Sequence, residues 1–397
     1  MKTDNRKSVA VWQPFFFGGG AEAVALWVLE ALRHEYDVTL YTLSQVDLSR
    51  LDTMYATQLS EQGITIKALL PDPLGKWAYR LMANNKIARM AFIYWTIRGF
   101  KKVAPQYDVV FSAFNGLDMG RPGIQYLHWV RVVEDSYQEA KPWLKVLMKW
   151  VDFSHERLCE NLSIANSQYT AQRVQKVYGI KADIVFPPVV TEIDALPWAE
   201  KEDAFLCSGR IVRPKQTHRV INILKAVREK GFDIKLHITG GGGGVYAQRY
   251  MREIQDLAQQ NSDWIYLHKD LSYKDYLKLL TRCRYGIHYK PEPFGISVAE
   301  MLKAGMIPFV RTKGGQMEIV GPDHHNILFA DEKEGVDKIF EILSNQSLRE
   351  DVLRSLEPRK ELFSTERFID NIRKTVEQYL EVSAQEDMAE TSVSEVS

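Results

Sequence analysis

The run Lys290-Pro-Glu-Pro-Phe-Gly-Ile-Ser-Val-Ala-Glu300 sets two carboxylates around a Pro-Phe-Gly turn, between an apolar strand pattern and a helical one. Pro293 pushes Glu292 into extended backbone, so its carboxylate projects from the loop at the end of the strand. Phe294, Gly295, Ile296 and Ser297 then open the helix, where the first backbone N–H groups lack intrahelical acceptors and the dipole is positive. Such a helix start is a site for an anion, and a diphosphate suits it. Glu300 falls in the first turns of the same helix, placed to accept bonds from hydroxyl groups. In isolation, two acids of this kind are ordinarily a solvated loop residue and a helix-dipole partner. The Pro-Phe-Gly between them argues for a built site.

A second group of residues offers matching charge. Cys207-Ser-Gly-Arg210-Ile-Val-Arg-Pro-Lys215 also follows a strand and precedes a helix, so the Arg210 guanidinium and the Lys215 ammonium could neutralise two phosphates. Gly18, Gly19 and Gly20 follow the first strand, where missing Cβ atoms let backbone approach a ligand; a plain tight turn is the equal alternative. Gly240 to Gly244 and Gly314-Gly315 with Glu318 occupy the same kind of position. His128 ends another strand; a lone histidine there is more often a satisfied structural residue, and it enters as a candidate because of its position. Adjacent side chains in Asp323-His324-His325 point apart in an extended loop, so no metal site is expected. The sequence offers no nucleophile elbow and no paired catalytic cysteine, and no cofactor is called for.

Short β-branched runs alternating with amphipathic helical stretches are what position these loops. Val9 to Gln13, Val38 to Thr42, Ile64 to Leu69, Asp108 to Ser112 and Gln125 to His128 begin one series; a second restarts at Phe205. Runs of this kind form parallel sheets covered by helices on both faces, with ligands beyond the carboxyl ends of the strands. At 397 residues the chain exceeds what one core organises. The expected fold class is α/β: two doubly wound, Rossmann-like domains facing a central crevice. The expected divisions are an acceptor-side domain over 1–197, a donor domain over 198–365, a helix over 366–381 returning to the first domain, and a disordered acidic tail over 382–397.

Composition narrows the partners. Lys plus Arg and Asp plus Glu each number 51, so no general basic field exists to hold nucleic acid. Three scattered cysteines suit a reducing compartment, and no apolar leader follows Met1; a cytoplasmic location is expected. Charge is locally uneven, however. From Lys67 to Lys102 eight basic residues face one acid, Asp72, with Trp77, Tyr79, Phe92, Tyr94 and Trp95 interleaved, and Lys141 to Trp150 repeats that composition. Basic surfaces with embedded aromatics bind anionic membranes peripherally, although a solvated helix packed on its own domain reads equally well.

Arg210 with Lys215, Glu292-Pro-Phe-Gly with Glu300, and Gly314-Gly315 with Glu318 together resemble the retaining glycosyltransferases of family four, which have the GT-B fold. Asn166-Ser-Gln-Tyr-Thr170 and Phe186-Pro-Pro-Val189 extend the likeness, and Tyr126-Leu-His128-Trp129 is similar to mannosyltransferases acting on lipid-linked oligosaccharides. The resemblance implies that Arg210 and Lys215 grip the donor diphosphate and that Glu292 with the backbone of Phe294, Gly295 and Ile296 engages its sugar and phosphate. It further implies that Glu300 bonds the ribose, that Gly18, Gly19 and Gly20 line phosphates and acceptor, that His128 contacts the transferred sugar, and that no divalent metal is needed. Two departures stand out: the usual Lys-Gly is Lys215-Gln216 here, and Trp129-Val130 lacks the Pro often found after that aromatic. The implied function is retaining transfer of a hexose from a nucleotide-diphosphate sugar, GDP-mannose or a UDP-sugar, to a saccharide or lipid-linked saccharide. A sugar-nucleotide epimerase of the same architecture and an inactive sugar-nucleotide-binding protein remain alternatives.

Overall fold

Strands that are apolar on both faces must be covered on both faces, and the computed structural model folds each half of the chain around such a sheet. It describes residues 6–61, 63–129, 141–189, 195–241, 245–269 and 271–394. Two compact units result, one formed by 1–188 with 365–397 and the other by 189–364.

The first unit holds seven parallel strands: β1 (Ser8–Trp12), β2 (Asp37–Ser44), β3 (Ile64–Leu70), β4 (Val109–Ser112), β5 (Ile124–Leu127), β6 (Leu162–Ala165) and β7 (Asp183–Ile184). Their order is β3-β2-β1-β4-β5-β6-β7, so the winding reverses beside β1, where Val9 pairs with Val38 on one side and Val109 on the other. The connecting helices are α1 (Gly20–Leu32), α2 (Leu48–Tyr55), α3 (Asp72–Asn84), α4 (Lys86–Val103), α5 (Pro142–Trp150), α6 (His155–Cys159) and α7 (Gln168–Tyr178). Local sequence sets their ends. Asn85 caps α4 by accepting the Ala88 N–H, and Ser167 caps α7 by accepting that of Thr170, so Asn166-Ser-Gln-Tyr-Thr170 does structural work here.

The second unit has six parallel strands in the order β10-β9-β8-β11-β12-β13. They are β8 (Glu202–Ser208), β9 (Lys235–Thr239), β10 (Ile265–His268), β11 (Cys283–His288), β12 (Ile307–Arg311) and β13 (Leu328–Phe329). Around them lie α8 (Thr217–Glu229), α9 (Val245–Gln260), α10 (Tyr273–Arg282), α11 (Ile296–Lys303), α12 (Gln316–Val320), α13 (Glu332–Ser344) and α14 (Gln346–Leu356). Its core stacks Phe205 on Tyr285 at 4.9 Å with Phe309 beside them. Each such ring contributes about 2 kcal/mol by leaving water.

The last helix, α15 (Thr365–Ser394), belongs to the first unit. Ile372 and Val376 are fully buried, Arg373 Nε donates to the Ala31 carbonyl at 2.9 Å, and Tyr379 Oη donates to that of Pro122 at 2.7 Å.

Two sequence expectations need correction. The break between units falls at Pro188/Val189, not at 197/198. The Val189 N–H is bonded to the Phe363 carbonyl, and the buried Lys201 ammonium donates to the Thr281 and Ala304 carbonyls, so 195–201 is packed structure of the second unit. The segment 382–397, read as disordered, is helical as far as Ser394, because α15 runs on past the last buried turn. β13 carries too few residues to leave a sequence pattern.

Candidate functional site

In the second unit the winding reverses at β8, which lies between β9 and β11. The loops leaving β8 and β11 therefore emerge side by side at the carboxyl ends, the position where doubly wound sheets bind ligands. The β8 loop carries Arg210 and Lys215; the β11 loop carries Lys290, Glu292 and Gly295. They meet at one carboxylate oxygen. Lys215 Nζ is 2.6 Å from Glu292 Oε1, Lys290 Nζ is 3.4 Å from it, and His288 Nε2 is 3.7 Å away.

Electrostatics follow from that crowding. Burial alone raises the Glu292 pKa, but the neighbouring His288 imidazole, Lys215 and Lys290 outweigh it and hold the carboxyl down to about 2. Glu292 is thus ionised at any working pH. His288 is buried, its pKa lowered chiefly by burial, and its Nε2 has no hydrogen-bond partner among the described residues. Cys207, Arg210, Lys215, Thr217, His288 and Tyr289 line one cleft. The Cys207 thiol is pushed up to about 12 by burial, which removes it as a nucleophile. Arg210 is exposed on the rim of the cleft.

The β11 loop is held from behind by a third loop. Gln316, fully buried, accepts the Glu292 N–H at 2.7 Å and donates to the Lys290 carbonyl, while the Gly315 N–H donates to the Glu292 carbonyl at 2.8 Å. A Cβ at Gly315 would lie 2.0 Å from the Pro293 carbonyl oxygen, so no side chain fits between the loops. The β8 loop is braced likewise: a Cβ at Gly240 would lie 2.1 Å from the Gly209 carbonyl oxygen. Gly240 and Gly314-Gly315 act as packing positions behind the site; Gly242 to Gly244 lie outside the described residues, as does Val130.

Gly295, at φ +104°, turns the chain into α11, whose first amide bond runs from the Val298 N–H to the Gly295 carbonyl. The amides of Ile296 and Ser297 precede any intrahelical bond and define the positive end of α11. Phe294 contributes only backbone, because its ring is buried against Phe363. Glu300 already has a partner within the protein. Its Oε2 accepts the Tyr276 hydroxyl at 2.7 Å, and burial raises its pKa to about 7 despite that bond. Gln216, the departure from Lys-Gly, has φ +59°, a left-handed conformation in which glycine is unstrained.

In the first unit two candidates are engaged by the protein itself. His128 is 6% exposed, its Nε2 lies 2.8 Å from the Ala113 carbonyl, and burial lowers its pKa to about 4. The geometry is that of a neutral histidine held by the backbone, the structural reading of a strand-end histidine. The glycine loop is also tied down. Glu22 accepts the Phe17 and Gly18 N–H groups at 2.7 and 2.6 Å, and the Gly19 N–H donates to Tyr55 Oη at 2.9 Å. Those amides are already spent, so a phosphate facing Gly18 and Gly19 must displace a protein partner. What this loop does border is a cavity of about 610 Å³ lined also by Asp47, Arg50, Lys76, Tyr79 and Arg80. His324 bonds Ser355, and among the described residues no three metal-binding side chains cluster.

The sequence missed His288, Lys290 and Gln316. Lys290 and Gln316 adjoin motif residues and were legible by proximity; nothing in the sequence marks His288, a strand residue, as facing Glu292.

Residues 190–355 match the family described as Glycosyl transferases group 1. No curated protein matches the chain. Among solved structures, Anabaena Alr3699/HepE in complex with UDP and glucose is 15% identical over 94% of this chain and 99% of its own, with a TM-score of 0.66. Sucrose-phosphate synthase from Thermosynechococcus elongatus is 16% identical over 95% and 100%, with a TM-score of 0.65. WaaG, a glycosyltransferase involved in lipopolysaccharide biosynthesis, is 16% identical over 92% and 99%, with a TM-score of 0.61. At these identities the likeness speaks for the fold, two Rossmann-like α/β units as in GT-B glycosyltransferases.

Proposed function

We propose that the protein is a retaining, metal-independent glycosyltransferase that moves a hexose from a nucleotide-diphosphate sugar, GDP-mannose or a UDP-sugar, to a hydroxyl of a saccharide or lipid-linked saccharide. One observation carries the reading: Lys215 and Glu292 meet at the switch point of the second sheet, beside the start of α11. The family match over 190–355 and the UDP and glucose of the Anabaena neighbour support it.

Cleaving a sugar–phosphate bond throws negative charge onto the departing diphosphate while the anomeric carbon becomes oxocarbenium-like. Lys215, Arg210 and the opening amides of α11 offset the first charge, each well-placed donor contributing about 3 kcal/mol. They supply the positive charge that a divalent ion provides elsewhere. Glu292, held ionised, faces the second charge and accepts sugar hydroxyls. Because an arriving diphosphate competes with Glu292 for Lys215, donor binding exchanges one carboxylate–ammonium contact for a phosphate–ammonium contact. Retention then requires the acceptor to approach the face the diphosphate leaves, with a phosphate oxygen taking its proton or a carboxylate forming a covalent intermediate. The acceptor-side role falls to the first unit, and an anionic membrane is proposed as its peripheral partner at the cytoplasmic face.

Thermal-shift screening against GDP-mannose, UDP-glucose and ADP-glucose tests the donor, since a ligand of the native state raises the apparent stability. One of the three should raise Tm, and adding an acceptor should release nucleotide. No shift with any donor sinks the proposal, and an altered sugar released without acceptor would turn it into an epimerase.

A further inference from the structure

The face formed by α3, α4 and α5 is apolar where a folded surface is normally polar. Leu74, Trp77, Ile87 and Val146 are 53%, 59%, 61% and 67% exposed, and Leu81, Trp95 and Trp150 are also exposed. The rings are mutually ordered: Trp77 lies edge-on to Phe92 at 6.5 Å, and Phe92 lies 6.1 Å from Trp95. A shallow groove of about 400 Å³, lined by Leu81, Ala88, Ala91, Phe92, Trp95, Leu147 and Trp150, joins the three helices with almost no polar surface. A contiguous apolar patch of this kind marks a site of contact.

Charge identifies what it contacts. The three helices carry nine basic residues and one acid in a chain whose net charge is zero. Arg98 lies over the Trp150 ring at 4.7 Å, and Arg80, Lys102 and Lys149 are exposed without an ion pair among the described residues. Tryptophans at the level of a basic rim match the headgroup layer of an anionic bilayer, where rings sit at the interface and each nearby cation adds attraction. Among the described residues no helix is long and apolar enough to cross a membrane, so the contact is parallel to the surface.

We infer that the α3–α4–α5 face docks on an anionic lipid bilayer, with Trp77, Trp95 and Trp150 at headgroup depth, and that α3 thereby brings the neighbouring cavity to the lipid surface. The second clause follows from α3 itself. Its Trp77 and Leu81 belong to the exposed face, whereas Lys76, Tyr79 and Arg80 line the 610 Å³ cavity beside the glycine loop. A lipid-linked acceptor could then present its head to the cavity while its chains stay in the membrane. This names the surface for the membrane partner of the proposed function, and its test needs no catalysis.

Sedimentation of the full chain with vesicles of phosphatidylcholine, with and without about 30% phosphatidylglycerol, tests it. Partitioning should rise about tenfold with the anionic lipid and fall at about 0.5 M salt. Lys102→Glu with Lys149→Glu should lose about tenfold, and so should Trp77→Ser with Trp150→Ser, while Phe340→Ser on the second unit changes nothing. Circular dichroism and Tm confirm that each variant is folded. Equal pelleting with both vesicle types, or full binding by both double variants, overturns the inference. So does a lipid-free dimer that Trp77→Ser disperses, which would assign the face to a second copy of the chain. Transfer to a soluble acceptor without vesicle binding would defeat the docking alone and leave the transferase reading intact.

Discussion

Lys215 and Glu292, seventy-seven residues apart in sequence, form a 2.6 Å ion pair that joins the loops after β8 and β11. The side chains are 21% and 15% exposed, so neither charge is freely hydrated. That contact concentrates the site's electrostatics in one place.

Removing either cation should reduce transfer, with different effects on stability. Lys215→Ala should cut turnover about a hundredfold and lower stability by about 1–2 kcal/mol, because it leaves Glu292 partly unpaired. Arg210→Ala should weaken the Tm shift produced by the nucleotide donor yet leave the Tm of the unliganded protein unchanged, since the exposed guanidinium lies on the rim. Turnover of Lys215→Ala near that of the natural chain would contradict the assignment.

The two carboxylates of the site should titrate with opposite consequences. The native pKa of Glu292 lies near 2, below its ordinary 4.5, so its stabilisation is present above about pH 4.5 and is lost as pH falls towards 2. The native pKa of Glu300 lies near 7, so its favourable contribution is present below about pH 4.5 and is lost as pH rises through 7. Urea unfolding across that range should show Glu292→Gln flattening the acid limb and Glu300→Gln flattening the limb between 4.5 and 7. Curves parallel to the natural protein would refute the placement.

Gly315→Ala should displace the β11 loop, because its Cβ would meet the Pro293 carbonyl oxygen at 2.0 Å. Donor-induced stabilisation and turnover should both fall by about tenfold or more, with a loss of about 1–3 kcal/mol in stability from overpacking. Unchanged donor binding would show that the loop–loop contact does not shape the site.

Gln216→Gly should stabilise the protein by about 1 kcal/mol, since residue 216 has φ +59° and a side chain there pays for a left-handed backbone. A higher Tm with unchanged donor binding is the expected outcome; a lower Tm would mean that the glutamine side chain makes a compensating contact.

Much of this architecture was readable in one dimension. Parallel strands announce themselves because a strand buried on both faces must be apolar along its length, as Val9, Ala10 and Val11 of β1 and Leu206 of β8 are. Strand-end loops rich in glycine, proline and charge, such as 290–300 and 207–215, likewise signal where ligand chemistry gathers, because the sheet itself has no room for it. Which partner each residue finds was not readable. His128 and Glu300 bond Ala113 and Tyr276, partners that come from other elements and that their own neighbourhoods in the sequence do not name. The amides of Phe17 and Gly18 look free until Glu22 folds back onto them. Residue type and local spacing fix which groups can bond, since those properties are covalent. Strand order, which no local pattern encodes, decides which of them become neighbours, and it is that order that puts Lys215, His288 and Glu292 together.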